Sequence, residues 1–297
     1  MMTDFPSPQD VVSLIGAHGY VCPEDLATSI FLAARMGRPL LLEGEAGIGK
    51  TELAKALALA SASKFIRLQC YEGIEAGQAL YEWNHARQYM DIQLAQSRQA
   101  HIDSSQLFTR EYLLERPLLA SIQGAEPKVL LIDELDRADE AFEAFLLEYL
   151  AEFQITIPEL GTINADRRPL VVITSNRTRE LSDALKRRCL YQWLDFPSRE
   201  REAAIIAKRF PDLPEELSTS ITAFVHQIRA MDLVKNPGIA ESLDWAQALI
   251  ALDAITLDPE VVQQSMGVLL KHQSDIEQVQ QSDLQAIIRD AKRNLSN

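Results

Sequence analysis

Apolar positions along the first two thirds of the chain fall into short runs at Leu40–Leu42, Phe65–Leu68, Val129–Ile132, Leu170–Ile173 and Leu190–Leu194. The runs at 40–42, 129–132 and 170–173 are unbroken, which is the pattern of strands covered on both faces. Between most of them the period changes to that of a helix. Thr51–Ala60 is rich in Ala and Leu, with Leu53 and Leu57 four apart, and Glu24–Met36 carries Leu26, Ile30, Phe31 and Ala34 as a stripe opening after Pro23. Alternating strand and helix signals predict an α/β fold with a parallel sheet. After Phe196-Pro197 the strand signals stop, and from Ser198 the pattern is nearly all helical, interrupted at Pro211–Pro214 and Asn236–Gly238. The expected organisation is an N-terminal arm (1–22) with a short helix at Val11–Ile15, an α/β core (23–197) and a smaller all-α lid domain (198–297). Within the core, Ala76–Gln99 reads as helical, with Leu80, Trp83, Met90 and Leu94 in spacing, and forms part of a helical insert near 76–110. The glutamines between Gln278 and Gln285 read as a solvated helix face.

The segment after the first strand carries specific chemistry. Gly44-Glu45-Ala46-Gly47-Ile48-Gly49-Lys50-Thr51 fills every fixed position of G-x-x-x-x-G-K-[ST], between a strand and a helix. Glycines there let successive backbone N–H groups face phosphate oxygens, and the helix N-terminus adds partial positive charge. Lys50 then reaches the β- and γ-phosphates, and the Thr51 hydroxyl ligates Mg2+. These residues predict binding of a nucleoside triphosphate.

The third strand run ends in Asp133-Glu134. An acidic residue at a strand's carboxyl end suits Mg2+ held through its water shell, which assigns Asp133 to the metal. The carboxylate beside it, Glu134, can polarise an attacking water. The fourth run ends in Ser175-Asn176, which puts a polar side chain beside that strand. Further on, Arg187 and Arg188 read either as a solvated basic turn or as the source of an arginine that neutralises transferring phosphate from a neighbouring subunit.

Taken in order, the P-loop, Asp133-Glu134, Asn176 and the Arg188 region resemble the Walker A, Walker B, sensor 1 and arginine-finger motifs of AAA+ ATPases. Leu131-Ile132-Asp133-Glu134-Leu135-Asp136-Arg137-Ala138 is similar to the Walker B extension of the MoxR branch, and Gln154–Pro169 looks like that branch's hairpin, placed near 154–168. Leu80–Asn84, Glu115–Leu119 and Thr174–Leu181 resemble CoxD-type proteins, which serve maturation of carbon monoxide dehydrogenase and related molybdenum hydroxylases. The resemblance covers about residues 20–250. It implies a five-stranded parallel sheet of order 5-1-4-3-2, ATP and Mg2+ as ligands, Glu134, Asn176 and Arg188 as catalytic residues, and a hexameric homo-oligomer. It further implies a protein client such as the large subunit of a molybdenum hydroxylase, and a partner with a von Willebrand A-type domain. It also turns the 76–110 insert towards a ring channel, where Tyr81, Trp83 and Tyr89 would grip a client; read from their spacing alone the same aromatics are packing residues, since aromatics at helical spacing usually bury. One family element is missing: at Asn236–Ser242, Glu241 stands where a sensor 2 arginine is expected.

Bulk composition narrows the partners. The 43 acidic against 29 basic residues leave a net charge of −14, which disfavours sequence-independent nucleic-acid binding. That weighs against the alternative of a nucleic-acid motor or loader, while Glu134 and Asn176 weigh against a nucleotide-gated binding module with negligible turnover. Cys22, Cys70 and Cys189 lack metal-ligand spacing and read as reduced thiols of a cytoplasmic protein. His85 and His101 read as surface residues, and no apolar run approaches the length of a membrane span.

Overall fold

The structure, a computed structural model, describes residues 5–98 and 103–293. The chain divides into two compact units interleaved along the sequence. One comprises residues up to 18, 22–43 and 51–193; the other comprises 19–21, 44–50 and the chain from 194 on.

The α/β unit begins with α1 (Pro8–Ala17) and α2 (Glu24–Met36). Ser7 caps α1 by accepting from Asp10 N at 3.2 Å, and Gly37, at φ 64°, ends α2 in the left-handed conformation. The elements β1 (Leu40–Gly44), α3 (Lys50–Ala60) and β2 (Lys64–Gln69) follow. An insert then runs through α4 (Ala76–Leu80), β3 (Tyr81–Trp83), α5 (His85–Ser97), α6 (Ser104–Leu107), β4 (Leu113–Glu115) and α7 (Pro117–Ile122). The chain returns to the sheet with β5 (Lys128–Asp133), α8 (Glu140–Glu152), the strands β6 (Gln154–Ile157) and β7 (Gly161–Asn164), β8 (Leu170–Ser175), α9 (Asp183–Arg188) and β9 (Leu190–Leu194).

The main sheet has the order β2-β5-β8-β1-β9. Counting its five strands alone in chain order, this is 5-1-4-3-2, the order the resemblance implied. The pairs β2·β5, β5·β8 and β1·β8 are parallel, with Leu68 opposite Ile132, Ile132 opposite Ile173 and Leu42 opposite Thr174. Every residue of β1, β5 and β8 is buried, which is why these runs are continuously apolar. The parallel registers bring the carboxyl ends of β2, β5 and β8 side by side, where open α/β sheets gather their chemistry.

The insert departs from the expected continuous helix. Tyr81–Trp83 leaves the helix to pair antiparallel with β4, Tyr81 opposite Glu115 and Trp83 opposite Leu113. The helix restarts at His85, with the Asn84 side chain accepting from Arg87 N at 3.0 Å. The insert is therefore mixed, because a capping residue and a β-favouring Tyr-Glu-Trp triplet fall inside a spacing that also fits a helix. Gln99 lies outside the described residues. β6 and β7 form an antiparallel hairpin, Ile155 opposite Ile163.

The second unit is helical beyond β9: α10 (Arg199–Arg209), α11 (Glu215–Arg229), α12 (Ile239–Ala251), α13 (Pro259–Leu269), α14 (Gln273–Gln281) and α15 (Leu284–Arg293). Its core centres on Phe224 and Trp245, whose rings lie 5.2 Å apart. Gln278, Gln280, Gln281 and Gln285 are exposed. Among the described residues no helix is long and apolar enough to cross a membrane.

Candidate functional site

The residues of the phosphate-loop motif form the turn their spacing predicts. Gly44 ends β1 so close to the chain that a Cβ would stand 2.3 Å from Leu194 O, which no side chain tolerates. Gly47 has φ 78°, and a Cβ there would stand 2.9 Å from Glu241 Oε2. Glu45, Ala46, Ile48 and Gly49 complete the loop, and α3 begins at Lys50. Lys50 is 7% exposed, and its ammonium donates to Gly44 O at 2.6 Å and Glu45 O at 2.7 Å. Within the same unit, Ala240 N donates to Gly47 O at 3.1 Å. Glu241 does not take up an arginine's task here: its Oε2 accepts from Gly238 N at 3.0 Å and caps α12.

In the α/β unit, Thr51 and Asp133 meet. The Thr51 hydroxyl lies 3.2 Å from both Asp133 oxygens, and Asp133 is only 2% exposed. Thr174 Oγ1 donates to Asp133 Oδ1 at 2.6 Å. Arg67, on β2, brings Nε to 2.9 Å and Nη2 to 2.6 Å from Asp133 Oδ2. Cys70 follows directly on β2; burial, reinforced by Asp133, Asp136 and Glu134, pushes its thiol up to about 12. Burial likewise pushes the Cys189 thiol up to about 12. Both thiols are free and protonated near neutrality, which leaves them poor nucleophiles.

Glu134 turns out of the strand end in a left-handed conformation, φ 54°, with its N–H donating to Thr174 Oγ1 at 2.8 Å. A non-glycine residue held there is backbone strain that surrounding bonds must sustain. Its carboxylate accepts from Gln69 Nε2 at 3.0 Å and Asn176 Nδ2 at 3.5 Å, and Arg137 Nε lies 3.0 Å away. Asn176 is itself held by Asp136, 3% exposed. Asp136 Oδ1 accepts from Asn176 N at 3.1 Å, and Oδ2 accepts from Thr178 N at 2.8 Å and Thr178 Oγ1 at 2.6 Å. Between them Arg177 adopts φ 58°, so the turn after β8 wraps its N–H groups around one carboxylate.

Sequence reasoning missed Arg67, Gln69, Asp136 and Thr174 as members of this cluster. Arg67 and Gln69 stand two apart on a strand and so share a face, a signal available in the pattern but mute without a knowledge of the neighbouring strand.

The remaining candidates are dispersed. Arg187 and Arg188 are exposed at the end of α9, with Arg188 Nη1 bonded to Leu147 O. Arg38 braces this helix end, donating from Nε to Arg188 O at 3.1 Å and from Nη2 to Cys189 O at 3.1 Å. Tyr81 and Trp83 pack partly buried against the core, and Trp83 meets Phe108 edge-on at 5.2 Å. Tyr89, by contrast, is 65% exposed on α5 beside Met90. His85 is exposed and bonds Gln88 at 2.9 Å, and His101 lies outside the described residues.

Thr51 and Asp133 fit Mg2+: both offer hard oxygen donors and are few, the composition this ion takes when it keeps water and substrate phosphate around it. Among the described residues no group of three His, Cys, Asp or Glu side chains offers another metal site.

A family model, AAA domain (dynein-related subfamily), matches residues 39–189, from the first strand through the P-loop, Asp133-Glu134 and Asn176 to the α9 arginines. Among curated proteins, nothing matches this chain. Among solved structures it is similar to the Thermotoga maritima RuvB Holliday junction branch migration motor, at 20% identity and TM-score 0.47, over 83% of this chain and 67% of that one. It is also similar to a candidate ATPase from Cytophaga hutchinsonii, at 15% identity and TM-score 0.47, over 96% of this chain and 93% of that one. These two likenesses concern the fold alone. With its matched model spanning more than half of its length, the chain belongs to the AAA domain family, dynein-related subfamily, and is an AAA+ ATPase-type protein.

Proposed function

We propose that the protein hydrolyses ATP and uses the cycle to remodel a protein client, as a ring of identical subunits of the MoxR branch. On this reading residues 23–197 are the nucleotide-binding core and 198–297 the lid. Gly44–Lys50 cradle the phosphates, and Lys50 meets their β and γ oxygens. Thr51 and Asp133 hold Mg2+, which when bound neutralises charge on the phosphate oxygens. Glu134 takes a proton from the attacking water, Asn176 fixes the direction of that carboxylate, and Arg188, with Arg187 beside it, faces the neighbouring subunit's site. The observation that carries hydrolysis, beyond binding, is Glu134. It is held in a strained backbone conformation with Asn176 Nδ2 at 3.5 Å, one residue from the Thr51–Asp133 pair.

The client is proposed on the CoxD-like segments: a molybdenum hydroxylase whose metal centre is assembled in the cytoplasm, with a von Willebrand A-type partner. Tyr89, Met90 and Leu94, exposed on α5, are better placed to touch a client than the packed Tyr81 and Trp83.

Separating binding from turnover tests the reading. Lys50→Ala should weaken ATP binding, whereas Glu134→Gln should bind ATP normally and lose roughly 10²–10⁴-fold in turnover, the range for removing a general base. Wild-type turnover in Glu134→Gln would refute the assigned role.

A further inference from the structure

The Asp133 carboxylate is fully engaged by the protein itself. Oδ1 accepts from Thr174 Oγ1 at 2.6 Å and Oδ2 from Arg67 Nε at 2.9 Å, with Arg67 Nη2 at 2.6 Å and Thr51 Oγ1 3.2 Å from both oxygens. An ionised carboxylate offers about four lone-pair directions, so a further ligand must displace one of these groups. Thr174 is buried on the central strand β8, and Thr51 sits in the first turn of α3, both held by their elements. Arg67 differs: its side chain is 46% exposed and reaches Asp133 from the partly covered strand β2. It is steadied by Nη2 bonding to Gln69 Oε1, two residues along the same face.

We propose that Arg67 is a competing cation for the metal carboxylate: its guanidinium and the hydrated divalent ion of the bound nucleotide would draw on the same Asp133 carboxylate, so metal entry requires Arg67 to swing outward. The proposal rests on the nucleotide-binding reading above. Charge supports it. Asp133 and Asp136 are 2% and 3% exposed, and Glu134 follows Asp133 directly in the chain. A buried anionic cluster of this kind needs a cation. Arg67 supplies it at Asp133, and its half-exposed side chain gives it a route to water. The consequence is a lowered affinity for the metal, so that Asp133 exchanges one partner for another and never stands uncompensated.

Fluorescent ADP binding, titrated with Mg2+ and repeated in EDTA, tests this without any turnover. In Arg67→Gln the Mg2+ concentration for half-maximal enhancement of ADP binding should fall roughly fivefold, the size of a modest, partly exposed ion pair. Affinity in EDTA should stay unchanged. Arg67→Lys, which keeps the charge but loses the two-pronged grip, should shift the midpoint less in the same direction, and it serves as the reporter if the glutamine variant fails to fold. Mn2+ binding to the protein–ADP complex, followed by electron paramagnetic resonance, should tighten in parallel. An unchanged or raised Mg2+ midpoint would overturn the proposal. So would a loss of ADP affinity in EDTA, which would make Arg67 a phosphate ligand. A wild-type protein that binds no nucleotide at all would instead remove the nucleotide reading on which the proposal rests.

Discussion

Asp136→Asn is the most informative single substitution outside the phosphate-contacting motifs, because it alters the support of Asn176 without touching the phosphate loop. The carboxylate accepts three bonds, from Asn176 N at 3.1 Å, Thr178 N at 2.8 Å and Thr178 Oγ1 at 2.6 Å. An amide oxygen placed towards Thr178 keeps two of them and turns an NH2 group against the Asn176 N–H. The loss is thus one charge-assisted bond with a donor facing a donor, about 2–3 kcal/mol at a site 3% exposed. For a chain of this size that corresponds to a melting temperature lower by roughly 4–10 °C. The kinetic effect should be specific. Asn176 Nδ2 stands 3.5 Å from Glu134 Oε1, the outer limit of a hydrogen bond, so a shift of the turn by a fraction of an ångström breaks it. Turnover should fall roughly 10–100-fold while nucleotide affinity stays at the wild-type value, since a displaced positioning group costs in this range. Thermal melting, fluorescent-nucleotide binding and steady-state ATPase assays on one preparation decide the matter. Wild-type turnover in a destabilised Asp136→Asn protein would refute the positioning argument, and weakened nucleotide binding would show that the damage is general.

Two further outcomes follow from burial and charge. Burial opposes ionisation of Glu202, yet bonds from His226 and Arg229 override it and hold its carboxyl below the usual value of 4.5. Its stabilisation is therefore present above the unfolded pKa and lost as pH falls through the lower folded one, so the gap in melting temperature between wild type and Glu202→Gln should shrink as pH falls below about 4.5; a gap that widens over that acid range would contradict this. Trp83→Ala, which empties a half-buried site against Phe108, should cost about 2–3 kcal/mol, part of the full Trp→Ala range, whereas Tyr89→Ala, 65% exposed, should stay within about 0.5 kcal/mol. Equal melting temperatures for the two variants would overturn the distinction between packing and exposed aromatics.

Much of the fold was legible because burial on both faces of a sheet leaves an unmistakable mark. β1, β5 and β8 are wholly buried and appear in the chain as unbroken apolar runs. The phosphate loop was legible for a different reason: its glycines are demanded by backbone geometry at single positions, as Gly44 against Leu194 O shows. The insert was misread because a three-residue strand has no period of its own. Tyr81 and Trp83 fit a helical spacing, and only the presence of Leu113–Glu115 alongside turns them into a ribbon.

What the amino-acid sequence determined by itself is therefore local: strand and helix identity where a face is continuously buried, the curl of the phosphate loop, and the candidates Lys50, Thr51, Asp133 and Glu134. What only tertiary structure decided is which side chains from separate strands converge. Arg67 and Gln69 meet Asp133 and Glu134 because β2 lies next to β5 in parallel register, Gln69 opposite Asp133. Asp136 finds Asn176 because β8 flanks β5 on the other side. Strand order is a long-range property, set by how whole faces pack, and no spacing within a single segment encodes it.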